Sequence, residues 1–204
     1  MSDTAALGVL LAGGRGRRLG LAVPKALATL GGRTFLERAL EALHGACDQV
    51  VVAVPPSFDL ALAGAARVDD VAADAGPLAG MIAGLGSRPF TRAIVLGVDY
   101  PLMRADVLRD MLRTFDDERT RTSELDARIP VVENRPQPLC AVYAPTSVAI
   151  LKDHFVNGGR TVMEAIDRLR TVRPVVQGGD VVAFTHVNTP DDLARAGSLA
   201  ESVR

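Results

Sequence analysis

An open α/β sheet covered by helices on both faces is expected of this chain, on three observations. Apolar runs of strand length alternate with segments whose apolar residues recur at helical spacing. Several of those runs are apolar at successive positions, which suits strands of a parallel sheet buried on both sides. Residues with chemistry to offer follow directly on three of the runs, where right-handed crossovers would gather the C-terminal strand ends along one edge.

The first run, Ala6 to Ala12, reads as a strand that ends at the glycine pair Gly13 and Gly14. Thr34 to His44 sets Phe35, Leu36, Ala39, Leu40 and Leu43 on one helical stripe, and the valine-rich run Gln49 to Val54 is the next strand. Leu78 to Leu85 is a helix with Pro77 in its first turn. Arg92 to Gly97 is a strand that Pro101 keeps from continuing, and Arg104 to Phe115 is a helix. The charged stretch Asp116 to Arg128 is an exposed loop or a solvated helix end. Ile129 to Glu133, Leu139 to Ala144 and Val181 to Val187 complete the expected strands, with helices over Thr146 to Phe155, Thr161 to Leu169 and Pro190 to Leu199. Thr189 and Asp192 have the spacing of a capping box at the start of the last helix.

The 204 residues are most economically one domain, 1–204, large enough to bury a two-sided sheet core. Hydrophobic residues make up 48% and charged residues 23%, with a net charge of −1, so no global field favours nucleic acid or a membrane surface. A small-molecule partner is expected instead. Cys47 and Cys140 lack CxxC spacing and the three histidines form no HxH or HExxH pair, so buried reduced thiols are expected and no zinc site. The N-terminal stretch lacks the basic segment of a signal peptide, and no run reaches the roughly 18 to 20 apolar residues of a membrane span. A cytoplasmic protein is expected.

The densest chemistry lies between Leu7 and Lys25, LGVLLAGGRGRRLGLAVPK. Gly13, Gly14, Gly16 and Gly20 let backbone N–H groups approach an anion, while Arg15, Arg17, Arg18 and Lys25 add positive charge beside them. The spacing is neither GxGxxG nor GxxxxGK[ST], so this is a different kind of phosphate loop. Asp99 emerges directly after a buried strand. A hard cation such as magnesium needs few protein carboxylates when phosphate oxygens and waters complete its octahedron, so Asp99 reads as a metal ligand.

LAGGRGRRLG followed by Pro24 and Lys25 resembles the LAxGxGxRxG…K signature of nucleotidyltransferases that join a nucleoside monophosphate to a phosphorylated acceptor. Within them, GPLAGMIAGL, GVDYPLM, RPQPLCAVY and VNTPDDL resemble, in order, stretches of the molybdenum cofactor guanylyltransferases. The resemblance implies a Rossmann-like three-layer nucleotide-diphospho-sugar transferase fold with a mostly parallel sheet. It also implies transfer of GMP from GTP to molybdopterin with magnesium as cofactor, and molybdoenzymes or chaperones as protein partners. It assigns Leu11, Ala12 and Gly13 to the base and ribose, and Gly14, Arg15, Gly16, Arg17 and Arg18 to the triphosphate. Lys25 goes to the phosphates and Asp99 to the metal, with Lys25, Arg18 and Asp99 the catalytic set. Gly76 and Pro77 go to the purine, Asp70 (among Asp69, Asp70 and Asp74) to the nucleotide, and Arg135 and Asn188 to the acceptor side. GG at Gly13 and Gly14, where cytosine-using members carry an alanine, implies GTP over CTP.

Three positions depart from the family pattern. Pro24 stands where guanylyltransferases usually have aspartate, Ala53 lies in a stretch that often ends in asparagine, and His186 replaces the first asparagine of NxNTP. They bear on the acceptor and keep open transfer of CMP to molybdopterin or of a nucleotide to a sugar or isoprenoid phosphate. A nucleotide-binding regulator without turnover is a further alternative, against which the retention of both Asp99 and Lys25 argues.

Overall fold

The computed structural model describes residues 5–58, 60–69 and 76–202. In chain order the elements are β1 (Ala6–Leu11), β2 (Thr29–Leu30), β3 (Arg33–Thr34), α1 (Phe35–His44), β4 (Gln49–Val54), β5 (Ala66–Asp69), α2 (Pro77–Leu85), β6 (Arg92–Gly97) and α3 (Ala105–Arg121). There follow β7 (Ala127–Arg128), β8 (Val131–Val132), β9 (Arg135–Pro136), β10 (Cys140–Tyr143), α4 (Thr146–Val156), α5 (Val162–Ile166), β11 (Thr171–Val172) and α6 (Pro190–Ser202).

Seven strands form one sheet in the order β11-β7-β10-β6-β1-β4-β5. β6 lies at its centre with β1 beside it, β1 runs parallel to both β4 and β6, and β10 runs antiparallel to its neighbours β6 and β7. Alternation along the strands divides the core into two layers. Leu7, Val9 and Val51 face α2 and α4 with Leu78, Met81 and Leu151, while Leu10 and Val52 face α1 and α3 with Leu43, Leu108 and Phe115. α2 lies so close to β1 that a Cβ on Gly84 would overlap the Val9 side chain, so glycine is required at that crossing. α1 starts in a capping box, in which the Glu37 N–H donates to Thr34 Oγ1 (3.1 Å) and the Thr34 N–H to Glu37 Oε2 (2.7 Å).

The strands expected over Ala6 to Ala12, Gln49 to Val54, Arg92 to Gly97 and Leu139 to Ala144 are present to within a residue at either end. The strand expected over Ile129 to Glu133 is not continuous. Pro130 supplies no N–H, and Glu133 (φ 49°) and Asn134 (φ 62°) make a two-residue left-handed turn that pairs Val131–Val132 with Arg135–Pro136 as a hairpin. Val181 to Val187, expected as the last strand, lies largely in a 3-10 helix over Gly178–Phe184. Its apolar residues Ala183, Phe184 and Val187 are buried by packing on the sheet without joining it. The stretch Asp116 to Arg128, expected as an exposed loop or a solvated helix end, continues α3 to Arg121 as the latter. Its end departs from both readings: Leu125, Asp126 and Ala127 are buried, and Ala127–Arg128 joins the sheet as β7 between β10 and β11. The short strand β5 was not expected: its alternation is shallow and only half buried.

Candidate active site

The C-terminal ends of β1, β4 and β6 stop in register, Leu11 beside Ala53 and Gly97. Two further backbone bonds, Ala12 N–H to Ala53 O (3.0 Å) and Val98 N–H to Leu11 O (3.0 Å), carry the sheet one step past the strands. Above this edge opens a cavity of about 830 Å³, walled by the glycine-arginine loop, the start of α2 and the segment around Asp99.

The loop is a closed structure. The Lys25 N–H donates to Gly14 O (2.9 Å), clipping its two ends together, and the buried Leu19 anchors its middle. Gly16 (φ 68°) and Gly20 (φ 72°) bracket a single 3-10 turn, Arg17–Leu19, in the left-handed conformation that glycine alone adopts freely. Arg15, Arg17 and Arg18 line the cavity and remain exposed, a cluster of guanidiniums on its outer wall.

Lys25 points inward, its side chain only 10% exposed. Its Nζ donates to Asn188 Oδ1 (2.6 Å) and lies 3.6 Å from Asp99 Oδ2. Burial pushes the Lys25 ammonium below its ordinary pKa, and the Asp99 carboxylate pulls the other way. Asp99 is placed by what precedes it: a Cβ on Gly97 would overlap Asp99 Oδ1, so glycine there lets the carboxylate fold back over the strand end. The Asp99 carbonyl accepts the Val187 N–H at 3.0 Å. Asn188 is placed by α6, whose Asp192 Oδ2 accepts the N–H groups of Asn188 and Thr189 at 3.0 Å each while Thr189 Oγ1 accepts the Asp192 N–H at 3.2 Å. Those backbone donors, the Asn188 N–H first, hold the Asp192 carboxyl below the usual carboxylate range.

Of the residues expected at the site, Leu11, Gly13, Gly14, Arg15, Arg18, Lys25, Gly76, Pro77, Asp99 and Asn188 line this one cavity. Ala12 is fully buried beneath it and Gly16 serves the loop's turn. Asp70, with Asp74, lies outside the described residues, and Asp69 is on β5 paired with Arg67 at 2.9 Å. Arg135 is not on the cavity wall: the β8–β9 hairpin carries it, exposed, to one side, and Leu139 lines the cavity in its place. Ala53, Pro55, Gly80, Gly97 and Val98 also line it, without having been singled out as site residues. The sequence offered a signal for Ala53, Gly97 and Val98, all at the ends of the valine-rich strands that flank β1.

The donor set fits a hard cation that phosphates help to hold. Among the described residues no three His, Cys, Asp or Glu side chains gather, so no all-protein metal cage exists there. Among the described residues Asp99 is the one carboxylate lining the cavity, 20% exposed, opposite the glycine-arginine loop. That suits magnesium, which keeps waters and takes substrate phosphates beside one or two carboxylates.

A mostly parallel sheet that brings such a loop, an inward lysine and a strand-end aspartate to one cavity is the arrangement of an enzyme that handles nucleotide phosphates. The chain belongs to the family described as the MobA-like NTP transferase domain, whose profile matches residues 8–176, and that match makes the enzyme a nucleotidyltransferase. It is 32% identical, over 95% of its length and 96% of the relative's, to the probable molybdenum cofactor guanylyltransferase of Bacillus velezensis. To the molybdenum cofactor guanylyltransferase of Desulfosudis oleivorans it is 28% identical, covering 98% of each chain. Among solved structures, molybdopterin-guanine dinucleotide biosynthesis protein A of Archaeoglobus fulgidus superposes with a TM-score of 0.77 at 26% identity, over 96% of this chain and 99% of the other. The architecture is the nucleotide-diphospho-sugar transferase fold, with its mostly parallel sheet.

Proposed function

We propose that this chain transfers GMP from GTP to molybdopterin, forming molybdopterin guanine dinucleotide and releasing pyrophosphate. The observation that carries this reading is the Lys25, Asp99 and Asn188 cluster facing the glycine-arginine loop across one cavity, in a chain whose relatives over nearly its full length are named molybdenum cofactor guanylyltransferases. An acceptor phosphate oxygen bonds to the α-phosphorus while the bond from that phosphorus to the pyrophosphate oxygen breaks in line. No covalent intermediate is needed, and a phosphate monoester is already an anion near neutral pH, so no strong general base is required. The protein's part is position and field. Arg15, Arg17, Arg18 and the loop N–H groups hold the triphosphate, and Lys25 follows the charge that develops on the transferring and leaving oxygens. Asn188 keeps the Lys25 ammonium aimed. Asp99 would hold magnesium, which supplies neutralisation of the phosphate charge.

The base lies against Leu11 and Gly13 on one side, above the buried Ala12, and against Gly76, Pro77 and Gly80 on the other, where small residues let a purine approach the backbone. Product would pass to a molybdoenzyme or a chaperone in the cytoplasm. Pyrophosphate release, measured with GTP and with CTP, each with and without molybdopterin, tests the reading. Release that requires GTP and acceptor together is the expected result. CTP as the better donor would make the chain a cytidylyltransferase, and no release with any triphosphate would make it a binding protein.

A further inference from the structure

Three consecutive residues after the Gly178–Phe184 3-10 helix reach Lys25, Asp99 and the Tyr100 that follows Asp99 in the chain. Asn188 Oδ1 accepts from Lys25 Nζ at 2.6 Å, the Val187 N–H donates to the Asp99 carbonyl at 3.0 Å, and the His186 and Tyr100 rings meet in a T-shaped contact, centroids 4.2 Å apart at 87°. Tyr100 is 1% exposed and is held from the other side by its hydroxyl, which donates to Gln137 Oε1 at 3.0 Å. The residue next to Asp99 is therefore clamped between His186 and the segment that leads into β10. His186 Nε2 is buried and, among the described residues, has no hydrogen-bond partner. The ring is held by packing, in the edge-to-face geometry that aromatic pairs favour, rather than by a hydrogen bond from this nitrogen.

We propose that His186 is a positioning residue: its ring, through Tyr100, sets where the Asp99 carboxylate stands relative to Lys25. The effect on turnover rests on the guanylyl transfer reading, whereas the effect on geometry does not. Loss of the ring removes the packing partner of Tyr100, and the peptide it shares with Asp99 turns with it. The glycine-arginine loop, held by its own clip from Lys25 N–H to Gly14 O, stays as it is. The consequence is a loss of rate without a matching loss of nucleotide binding.

The test compares His186→Ala with His186→Phe, which keeps a ring and removes both nitrogens. In His186→Ala, kcat is expected to fall about tenfold or more while KM for GTP stays within about twofold, because displacement at the reacting centre costs rate before it costs binding. His186→Phe is expected to recover most of that loss, and His186→Leu, which fills the space without a ring, to recover little, so the comparison stands even if the alanine variant does not fold. Crystal structures of the ring-less variants should show Tyr100 turned and the Lys25 to Asp99 separation changed by on the order of 1 Å from the present value. An unmoved pair in a folded ring-less variant, equal losses in kcat and nucleotide affinity, or a phenylalanine variant no better than leucine would each overturn the proposal. The crystallographic arm needs no substrate. Failure of the guanylyl transfer reading would instead appear as absence of turnover in the unsubstituted protein.

Discussion

Gly97→Ala puts a single methyl group against the Asp99 carboxylate and nothing else of consequence. The built Cβ overlaps Asp99 Oδ1 and next meets Tyr100 Cε2 at 3.4 Å, an ordinary contact. Gly97 is not among the residues of positive φ, so the backbone accepts alanine without strain. The overlap is relieved by moving the Asp99 carboxylate, and relief demands a displacement on the order of 1 Å, enough to cost about 100-fold in rate. That factor corresponds to about 2.7 kcal/mol of lost transition-state stabilisation. Because the obstructed atom ends a short, partly exposed side chain, the fold absorbs the change at the cavity floor, and the thermal midpoint should move by only a few degrees. Steady-state pyrophosphate release at saturating GTP and acceptor reads the effect, with circular dichroism melting as the control for folding. A folded Gly97→Ala protein that keeps kcat within about twofold of the original would refute the reasoning, since Asp99 would then tolerate displacement.

Asp99→Ala should abolish transfer and leave the fold intact; normal turnover in magnesium by a folded variant would remove Asp99 from the metal role. Lys25→Ala should lower kcat by about tenfold or more, roughly 1.4 kcal/mol, with a smaller effect on GTP affinity, and a loss of affinity alone would make Lys25 a binding residue. Gly13→Ala should erode a preference for GTP over CTP by about 1 to 3 kcal/mol, the scale of methyl-sized discrimination, which competition binding of the two nucleotides measures. Asp126, fully buried, accepts hydrogen bonds from Thr146 Oγ1 (2.6 Å) and from the Arg170 N–H (3.0 Å), Nε (3.0 Å) and Nη2 (3.1 Å). Burial raises its pKa, and the bonds from Arg170 and Thr146 outweigh that and hold it below the usual range. Asp126→Asn should therefore cost about 1 to 3 kcal/mol of stability near neutral pH with kcat unaltered. Because the folded carboxyl titrates lower than the unfolded one, this contribution is present above about pH 4 and lost as pH falls further, so denaturation midpoints of the two proteins should converge in acid.

Features that depend on neighbours in the chain were legible before any coordinates. The buried run ending at Gly13 and Gly14, the carboxylate directly after Arg92 to Gly97, and the three-residue spacing of Thr189 and Asp192 each state their structure locally, because strand ends and helix caps are built from residues a few positions apart. The same locality misled over Val181 to Val187, where apolar composition describes burial and leaves open whether a partner strand exists. Whether β10 runs against its neighbours, and whether Arg135 reaches the cavity or Leu139 does, turns on a hairpin that reverses the chain at Glu133 and Asn134. Distance in sequence is the dividing line. Lys25 and Asn188 are 163 residues apart and meet at 2.6 Å only because β1 and β6 lie side by side and α6 returns its N-terminus to their edge. The residue types were written in the chain, but their mutual geometry, and the need for glycine at position 97 to permit it, come from the close packing of segments that share no local signal.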